Sequence, residues 1–161
     1  MRTLGIDPGT ATTGFGVVDE IDKKLCLVDY GCIKTSPGLD MPTRLNIISE
    51  QLTALIEKYK PENVAVEQLF FASNAKTAIK VGEARGVILL TASQAGLKVA
   101  EYTPLQVKMA LTGYGKADKK QVQYMVKNLL KCKETPKPDD AADAIAIAVC
   151  HLNSRRIREA K

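Results

Sequence analysis

The segment from Ala141 to Cys150 constrains the fold of this chain more than any other. It is almost entirely small or aliphatic, so a helix formed here is apolar on every side and must be largely buried. Its single charged residue is Asp143, and no basic residue lies within one helical turn of it. Because an isolated buried charge is costly, such a carboxylate is normally protonated, paired or bound to a metal ion. We expect metal binding at Asp143.

Hydrophobic periodicity predicts the other elements. Strands are expected at Arg2 to Asp7, Gly14 to Val18, Leu25 to Ile33, Val64 to Val66 and Val99 to Tyr102, the first three forming an antiparallel meander. Helices are expected between Pro42 and Pro61, over 75–94, from Pro104 to Gly113, around Val122 to Leu130, and over 140–151. The order β-β-β-α-β-α-β-α-α-α predicts an α/β fold with a mixed five-stranded sheet and helices on both faces.

Length and composition narrow the class of protein. The 161 residues fit one domain, expected over 1–154, with 155–161 as a charged tail that frays. The four cysteines lie far apart and predict neither a zinc site nor a disulfide framework. With no apolar leader or membrane-spanning run, we expect a cytoplasmic protein. The net charge of +5 is a weak indication of a polyanionic partner.

Acidic residues occur where elements are predicted to end or begin. Asp7 and Glu67 each close a buried strand, and ligand sites in α/β sheets gather at such ends. Asp140 and Asp143 are three positions apart, on one face of the last helix, and Asp139 is expected to be its N-cap. Taken singly, Asp7 or Glu67 could equally be a hydrogen-bonding residue at a strand end.

Together the four carboxylates, Asp7, Glu67, Asp140 and Asp143, predict a site for Mg²⁺, with Mn²⁺ as an alternative. Two such ions can stabilise both the attacking and the leaving oxygen in a phosphoryl displacement. That chemistry needs neither a serine nucleophile nor a nucleotide cofactor. The single histidine, His151, is expected to have no catalytic role.

Five short motifs occur in order along the chain. They are Leu4-Gly5-Ile6-Asp7-Pro8-Gly9 with Gly14-Phe15-Gly16, Glu67-Gln68-Leu69-Phe70, Glu83-Ala84-Arg85-Gly86, Gln106-Val107-Lys108, and Asp140-Ala141-Ala142-Asp143-Ala144-Ile145-Ala146. In order and spacing they resemble the RuvC family of Holliday junction resolvases, over residues 2 to about 152. Each motif alone is modest, but five in register are a strong signal.

The resemblance implies an RNase H-like fold and an Mg²⁺-dependent endonuclease that nicks two symmetric strands of a four-way DNA junction, in recombination and repair. It also implies two metal ions per site, catalytic acids at Asp7, Glu67, Asp140 and Asp143, a homodimer, and the branch-migration proteins RuvA and RuvB as partners. The neighbouring Asp139 leaves open which of Asp139 and Asp140 reaches the metal. The helix over 75–94 is the candidate dimer interface, with Gly82 and Gly86 allowing close approach and apolar contacts from Ile79, Val87 and Leu90, although each of these residues could equally pack in the core.

Candidate DNA contacts lie beside the predicted catalytic end. Lysines flank the loop at Gly113 and Gly115 and are candidates to bind phosphates: Lys108, Lys116, Lys119 and Lys120. Of these, Lys108 and Lys119 match family lysines near the scissile strand. Phe70 and Phe71 follow Glu67 in a loop and could stack on unpaired bases, although either could instead anchor the loop to the core.

Three other functions are compatible with parts of the sequence. The Asp7-Pro8-Gly9-Thr10 turn also resembles the first phosphate loop of actin-like ATPases, but those enzymes need a second lobe for which this chain has no room. A catalytically silent junction-binding protein would not need the complete set of acids. A related RNase H-like nuclease acting on another branched or hybrid substrate stays open.

Overall fold

A mixed sheet of five strands forms the centre of the structure, a computed structural model that describes residues 1–68 and 75–159, except the side chains of 75–76 and 157–159. The strands are β1 (Arg2–Asp7), β2 (Thr12–Ile21), β3 (Lys24–Lys34), β4 (Asn63–Glu67) and β5 (Lys98–Tyr102). Their spatial order is β3-β2-β1-β4-β5. The pairs β1–β2 and β2–β3 are antiparallel, whereas β4 is parallel to both β1 and β5. The predicted meander and mixed sheet are confirmed.

Helices cover both faces of the sheet. In the described part of the chain they are α1 (Met41–Tyr59), α2 (Ala75–Gln94), α3 (Pro104–Thr112), α4 (Lys119–Leu129) and α5 (Asp139–Glu159). One hydrophobic cluster joins α1 and α2 to side chains such as Leu4 and Val64, and a second joins α3, α4 and α5 to the opposite face. The predicted order of elements is therefore correct.

Capping residues set the bounds of the helices. The Asp40 side chain accepts a hydrogen bond from the Thr43 amide at the start of α1, and Lys60 ends this helix in the left-handed conformation. Thr103 and Gln106 form a capping box on α3, and Gly113 ends it with a φ of 69°. Each such N-cap contributes about 1 kcal/mol. The expected bounds at Pro61, Pro104 and Gly113 agree with these caps.

The last helix is two turns longer than predicted. We expected α5 to end near His151 and the tail from Arg155 to fray, but the helix continues to Glu159. Arg156 donates to the Glu20 side chain at 2.5 Å and to the Lys23 carbonyl at 2.7 Å, on the β2–β3 hairpin. These contacts stabilise a polar segment whose own composition favours fraying.

The four cysteines are free thiols, and Cys150 is buried in the core. Within residues 1–68 and 75–159, every helix is too short or too polar to cross a membrane.

Three glycines allow α5 to pack directly on the backbone of β1 and β2. A Cβ added at Gly5 would lie 2.1 Å from the Ala144 carbonyl oxygen, and one at Gly14 would lie 2.0 Å from the Asp140 carbonyl oxygen. At Gly16 the added atom would lie 2.6 Å from Ile145 Cγ1. Real Cβ contacts are not this short, so any side chain at these positions would push the helix away from the sheet.

Gly5→Ala is therefore expected to destabilise the protein by about 3 kcal/mol, because the added methyl group meets helix backbone that cannot rotate away. For a domain of this size that corresponds to a fall in melting temperature of roughly 6–12 °C, measured by thermal denaturation. The control is Gly38→Ala in an exposed turn, where the nearest atom is the Ser36 hydroxyl oxygen at 3.8 Å. Equal melting temperatures for the two variants would contradict the close approach of α5.

Candidate active site

Strand register brings Asp7 and Glu67 together at the carboxyl edge of the sheet. Ile6 pairs with Val66 in the parallel β1–β4 ladder, so the next residue on each strand is one of these acids. Side chains alternate along a strand, and Leu4, Ile6, Val64 and Val66 pack on the α1–α2 face. Asp7 and Glu67 therefore belong to the opposite face, on which α5 lies.

The first turn of α5 supplies the other two acids. Gly14 pairs with Asp7 across the β1–β2 ladder and also lies beneath the backbone of Asp140. Asp143 follows one turn later on the same side of the helix. The structure thus brings together the four acids that the sequence singled out, because the glycine contact fixes where α5 begins over the sheet.

Burial and, after it, repulsion between like charges raise the pKa of Asp7, Glu67 and Asp143. Burial raises the pKa of Asp7 to about 8, with further contributions from the charges of Glu67, Asp143 and Asp140. Burial, and then the charge of Asp143, raises the pKa of Glu67 to about 7. Burial also raises the pKa of Asp143, although the contact with Lys119 opposes this change. Groups perturbed in this way are typical of functional sites.

Asp143 has a cationic partner that its own helix does not reveal. Lys119, the first residue of α4, places its Nζ atom 2.9 Å from an Asp143 carboxylate oxygen and 3.3 Å from an Asp139 oxygen. Burial lowers the pKa of Lys119, but hydrogen bonding and attraction to Asp143 outweigh it and leave this pKa raised. The sequence shows no basic residue within one helical turn of Asp143, and the cationic partner comes instead from a residue distant in sequence.

A cleft of about 190 Å³ lies beside the acids. Glu67 and Asp143 line it together with Lys108, Lys119 and the apolar side chains of Val107 and Val122. Two of the four candidate lysines therefore reach the catalytic end, whereas Lys116 and Lys120 are exposed outside this cleft. Phe70 and Phe71 lie outside the described residues.

Asp139 and Asp140 point in different directions. Asp139 is exposed, pairs with Lys119, and accepts a hydrogen bond from Gln123 Nε2 at 3.0 Å. Asp140 is half-buried and its charge contributes to the raised pKa of Asp7. The helix already includes Asp139, so this residue lies in the first turn of α5 and is not the expected N-cap.

Sequence reasoning assigned no role to Arg85 or Thr10. Arg85 Nε donates to the Glu67 carbonyl oxygen at 3.3 Å, and its guanidinium pairs with Glu101, so α2 holds the end of β4. Arg85 belongs to the Glu83-Ala84-Arg85-Gly86 motif, and that motif is the sequence feature that could have indicated a role for it.

Thr10 anchors the turn that follows Asp7. Its hydroxyl donates to the Lys80 carbonyl oxygen on α2 at 2.9 Å, and its own carbonyl accepts from Thr35 Oγ1 at 2.6 Å. Thr35 in turn accepts from the buried Arg44 at 2.7 Å. This chain of hydrogen bonds joins the turn after Asp7 to α1, α2 and the residue that follows β3, although nothing in the local sequence pairs these residues.

The donor set suits a hard divalent cation. All four side chains offer carboxylate oxygens, which Mg²⁺ and Mn²⁺ prefer, and a cation between them would relieve the repulsion that raises the pKa of Asp7. Among the described residues, however, no three potential ligands already converge at metal-binding distance. Lys119 provides the positive charge in this arrangement.

The fold and the site together define a class of protein: a nuclease of the RNase H-like type, with acids from two parallel strands and a helix at one edge of a mixed sheet.

Comparison with known proteins identifies the family. The family model described as crossover junction endodeoxyribonuclease RuvC matches residues 3–151. The RuvC protein of Syntrophomonas wolfei is 55% identical over 157 residues, covering 98% of this chain and 91% of the relative, and that of Brevibacillus brevis is 56% identical over 155 residues, covering 96% and 93%. The structure of Thermus thermophilus RuvC in complex with a Holliday junction substrate is 40% identical, with a TM-score of 0.93 and coverage of 98% and 96%. The chain belongs to the RuvC family.

The raised pKa of Asp7 predicts a stability change with pH. Since the folded value is about 8 and the unfolded value 3.8, the folded state binds more protons between these limits, so this group lowers the stability progressively as pH rises through them. Asp7→Asn removes that cost. In EDTA at pH 9 the variant should melt at least about 2–4 °C above the parent, the change expected for 1 kcal/mol.

Well below the unfolded pKa of 3.8 the two proteins should differ little, because Asp7 is then protonated in both states of the parent. Glu57→Gln, which removes an exposed acid on α1, is the control and should show no such pH-dependent gain. A melting temperature of Asp7→Asn that stays at or below the parent value at pH 9 would contradict the electrostatic description of the site.

Proposed function

We propose that this chain resolves four-way DNA junctions by nicking two symmetric strands through metal-dependent phosphodiester hydrolysis, during recombination and DNA repair in the cytoplasm. The observation that carries the proposal is the meeting of Asp7, Glu67, Asp140 and Asp143 beside Lys108 and Lys119. Membership of the RuvC family and the likeness to a RuvC structure in complex with a Holliday junction support the choice of substrate.

In this proposal the four carboxylates hold two Mg²⁺ ions, with Mn²⁺ able to replace them. When bound, the ions stabilise the charge on the attacking and leaving oxygens. The half-buried position of Asp140, and its effect on Asp7, favour Asp140 over Asp139 as the fourth ligand. Asp139 instead orients Lys119 from the solvent side.

The lysines of the cleft act on the DNA. Lys119 pairs with Asp143, and its ammonium can also donate to a phosphate oxygen of the DNA. Lys108 lines the same cleft and donates from its other side. The exposed Lys116 and Lys120 bind phosphates farther from the cut, and Phe70 and Phe71 stack on bases at the junction centre.

Two copies of the chain are needed for two symmetric nicks, since each supplies one set of acids. The exposed face of α2 supports a homodimer: Ile79 is 64% exposed and Leu90 57% exposed, and an added Cβ at Gly86 would meet nothing within 4 Å. Val87 is half-buried and packs against the α1–α2 core cluster, which favours the alternative of core packing for this residue. RuvA and RuvB are partners by family resemblance alone.

Changing any of the four acids to its amide is expected to lower the rate of junction cleavage by at least about a hundredfold, the scale of losing one strong electrostatic contact to the transition state. Junction affinity should be retained, because the acids hold cations and not DNA. The measurement is single-turnover nicking with Mg²⁺, beside an affinity measurement without it.

Asp139→Asn is the matched control and should keep most of the activity. A loss as large as that of Asp140→Asn would contradict the choice of Asp140. Parallel assays on a four-way junction, a linear duplex and an RNA–DNA hybrid test the substrate: faster cleavage of the hybrid, or binding without nicking by the parent, would replace the proposed function with one of its alternatives.

Placing charged residues on the exposed face of α2 tests whether this face forms the dimer. Ile79→Asp with Leu90→Asp places carboxylates on the exposed face of α2 and should convert the protein to a monomer in sedimentation at micromolar concentration. Ile21→Asp, at an equally exposed site on β2, should leave the dimer intact. A parent that is monomeric and still makes paired nicks would refute the arrangement.

A further inference from the structure

Helix α4 begins at the catalytic centre and extends away from it. Its first residue, Lys119, contacts Asp143, and from there to its last residue, Leu129, the helix advances about 15 Å. One face of the helix buries Val122 and Val126 in the core. The opposite face, here called the outer face of α4, carries Lys120, Tyr124 and Lys127, followed by Lys131 just beyond the helix end.

Helical spacing aligns three of these side chains. Lys120, Tyr124 and Lys127 succeed one another at intervals of three or four residues, so they share one side of the helix, and Lys131, with a φ of 52°, follows just past its end. Tyr124 is 64% exposed, Lys120 and Lys131 are exposed, and Lys127 is half-buried. A large aromatic ring left in solvent between lysines is not explained by packing of the core.

The charge of this region is one-sided. Residues 116–133 contain six lysines and one acidic residue, Asp118, so the segment carries a formal charge of +5, equal to that of the whole chain. Asp118 is engaged as the N-cap of α4, where its side chain accepts from the Gln121 amide. The outer face of α4 itself carries no acid, and it therefore complements a polyanion.

An apolar cavity of about 500 Å³ adjoins the same face. Its walls include Tyr114, which is 55% exposed, together with Tyr124, Lys120, Thr112 and Met125. Lysines interleaved with aromatic rings are typical of surfaces that follow a nucleic-acid strand, where rings contact bases or sugars and ammonium groups contact phosphates.

We propose that the outer face of α4 binds the sugar–phosphate backbone of the DNA arm that leaves the catalytic centre. Lys127 and Lys131 then contact phosphates beyond those reached by the cleft lysines, and the Tyr124 ring packs on the intervening nucleotides. A helix length of about 15 Å corresponds to roughly four base pairs of duplex. The inference rests on the proposed function only in that the cut strand enters at the carboxylates.

The test measures junction affinity against salt concentration in EDTA, where no cleavage occurs. The variant Lys127→Gln with Lys131→Gln should reduce the slope of log affinity against log salt by about 1.8, since each lost phosphate contact removes about 0.9. The control, Lys24→Gln with Lys98→Gln, removes the same charge from exposed positions on β3 and β5, at the end of the sheet opposite the carboxylates. It should leave the slope unchanged.

Tyr124→Ala should weaken binding by at least about fivefold, the lower end for losing an aromatic contact to nucleic acid, and Tyr124→Phe should restore it. Thermal denaturation of each variant verifies that folding is unaffected. A slope equal to that of the parent in the Lys127 and Lys131 variant, or equal losses in the variant and its control, would overturn the proposal.

If the outer face of α4 instead bound a protein partner, the Lys127 and Lys131 variant would keep the same slope of log affinity against log salt as the parent. Failure of the proposed function is a separate outcome, since it would appear as a parent that does not nick junctions at all.

Discussion

Direct packing of α5 on the glycine-bearing backbone of β1 and β2 is the constraint on which the site depends. Gly5, Gly14 and Gly16 leave no side chain between sheet and helix, so the first turn of α5 lies immediately over the end of β1. Asp140 and Asp143 thereby come close enough to Asp7 to raise its pKa. A helix displaced by one side-chain layer would keep the same fold and lose this electrostatic coupling.

Gathering these carboxylates costs stability. Burial and like charge favour the neutral acids and raise the pKa of Asp7 to about 8 and that of Glu67 to about 7. Lys119 offsets part of that cost from a different helix, and Arg85 and Thr10 hold the neighbouring backbone in place. The active site is thus supported by residues from α2 and α4 as well as by the acids themselves.

Helix α4 connects the core, the catalytic centre and the surface. Val122 and Val126 anchor it, Lys119 contacts an acid, and the outer face of α4 presents Tyr124 and lysines to solvent. Because these roles occupy different sides of one helix, a change that rotated α4 would alter stability, charge balance and surface together. Its capping box at Asp118 and Gln121 fixes where the helix begins and hence which residue meets Asp143.

The sequence by itself determined the order of elements, the mixed sheet and the identity of the four acids, because alternation, helical spacing and a lone charge in an apolar helix are local signals. The five family motifs then indicated which function the four acids could serve. Only the tertiary structure decided that Lys119 pairs with Asp143, that Asp139 points away from Asp7, that Val87 faces the core, and that α5 continues to Glu159. Each of these depends on contacts between residues distant along the chain, and such contacts leave no periodic trace in a single sequence.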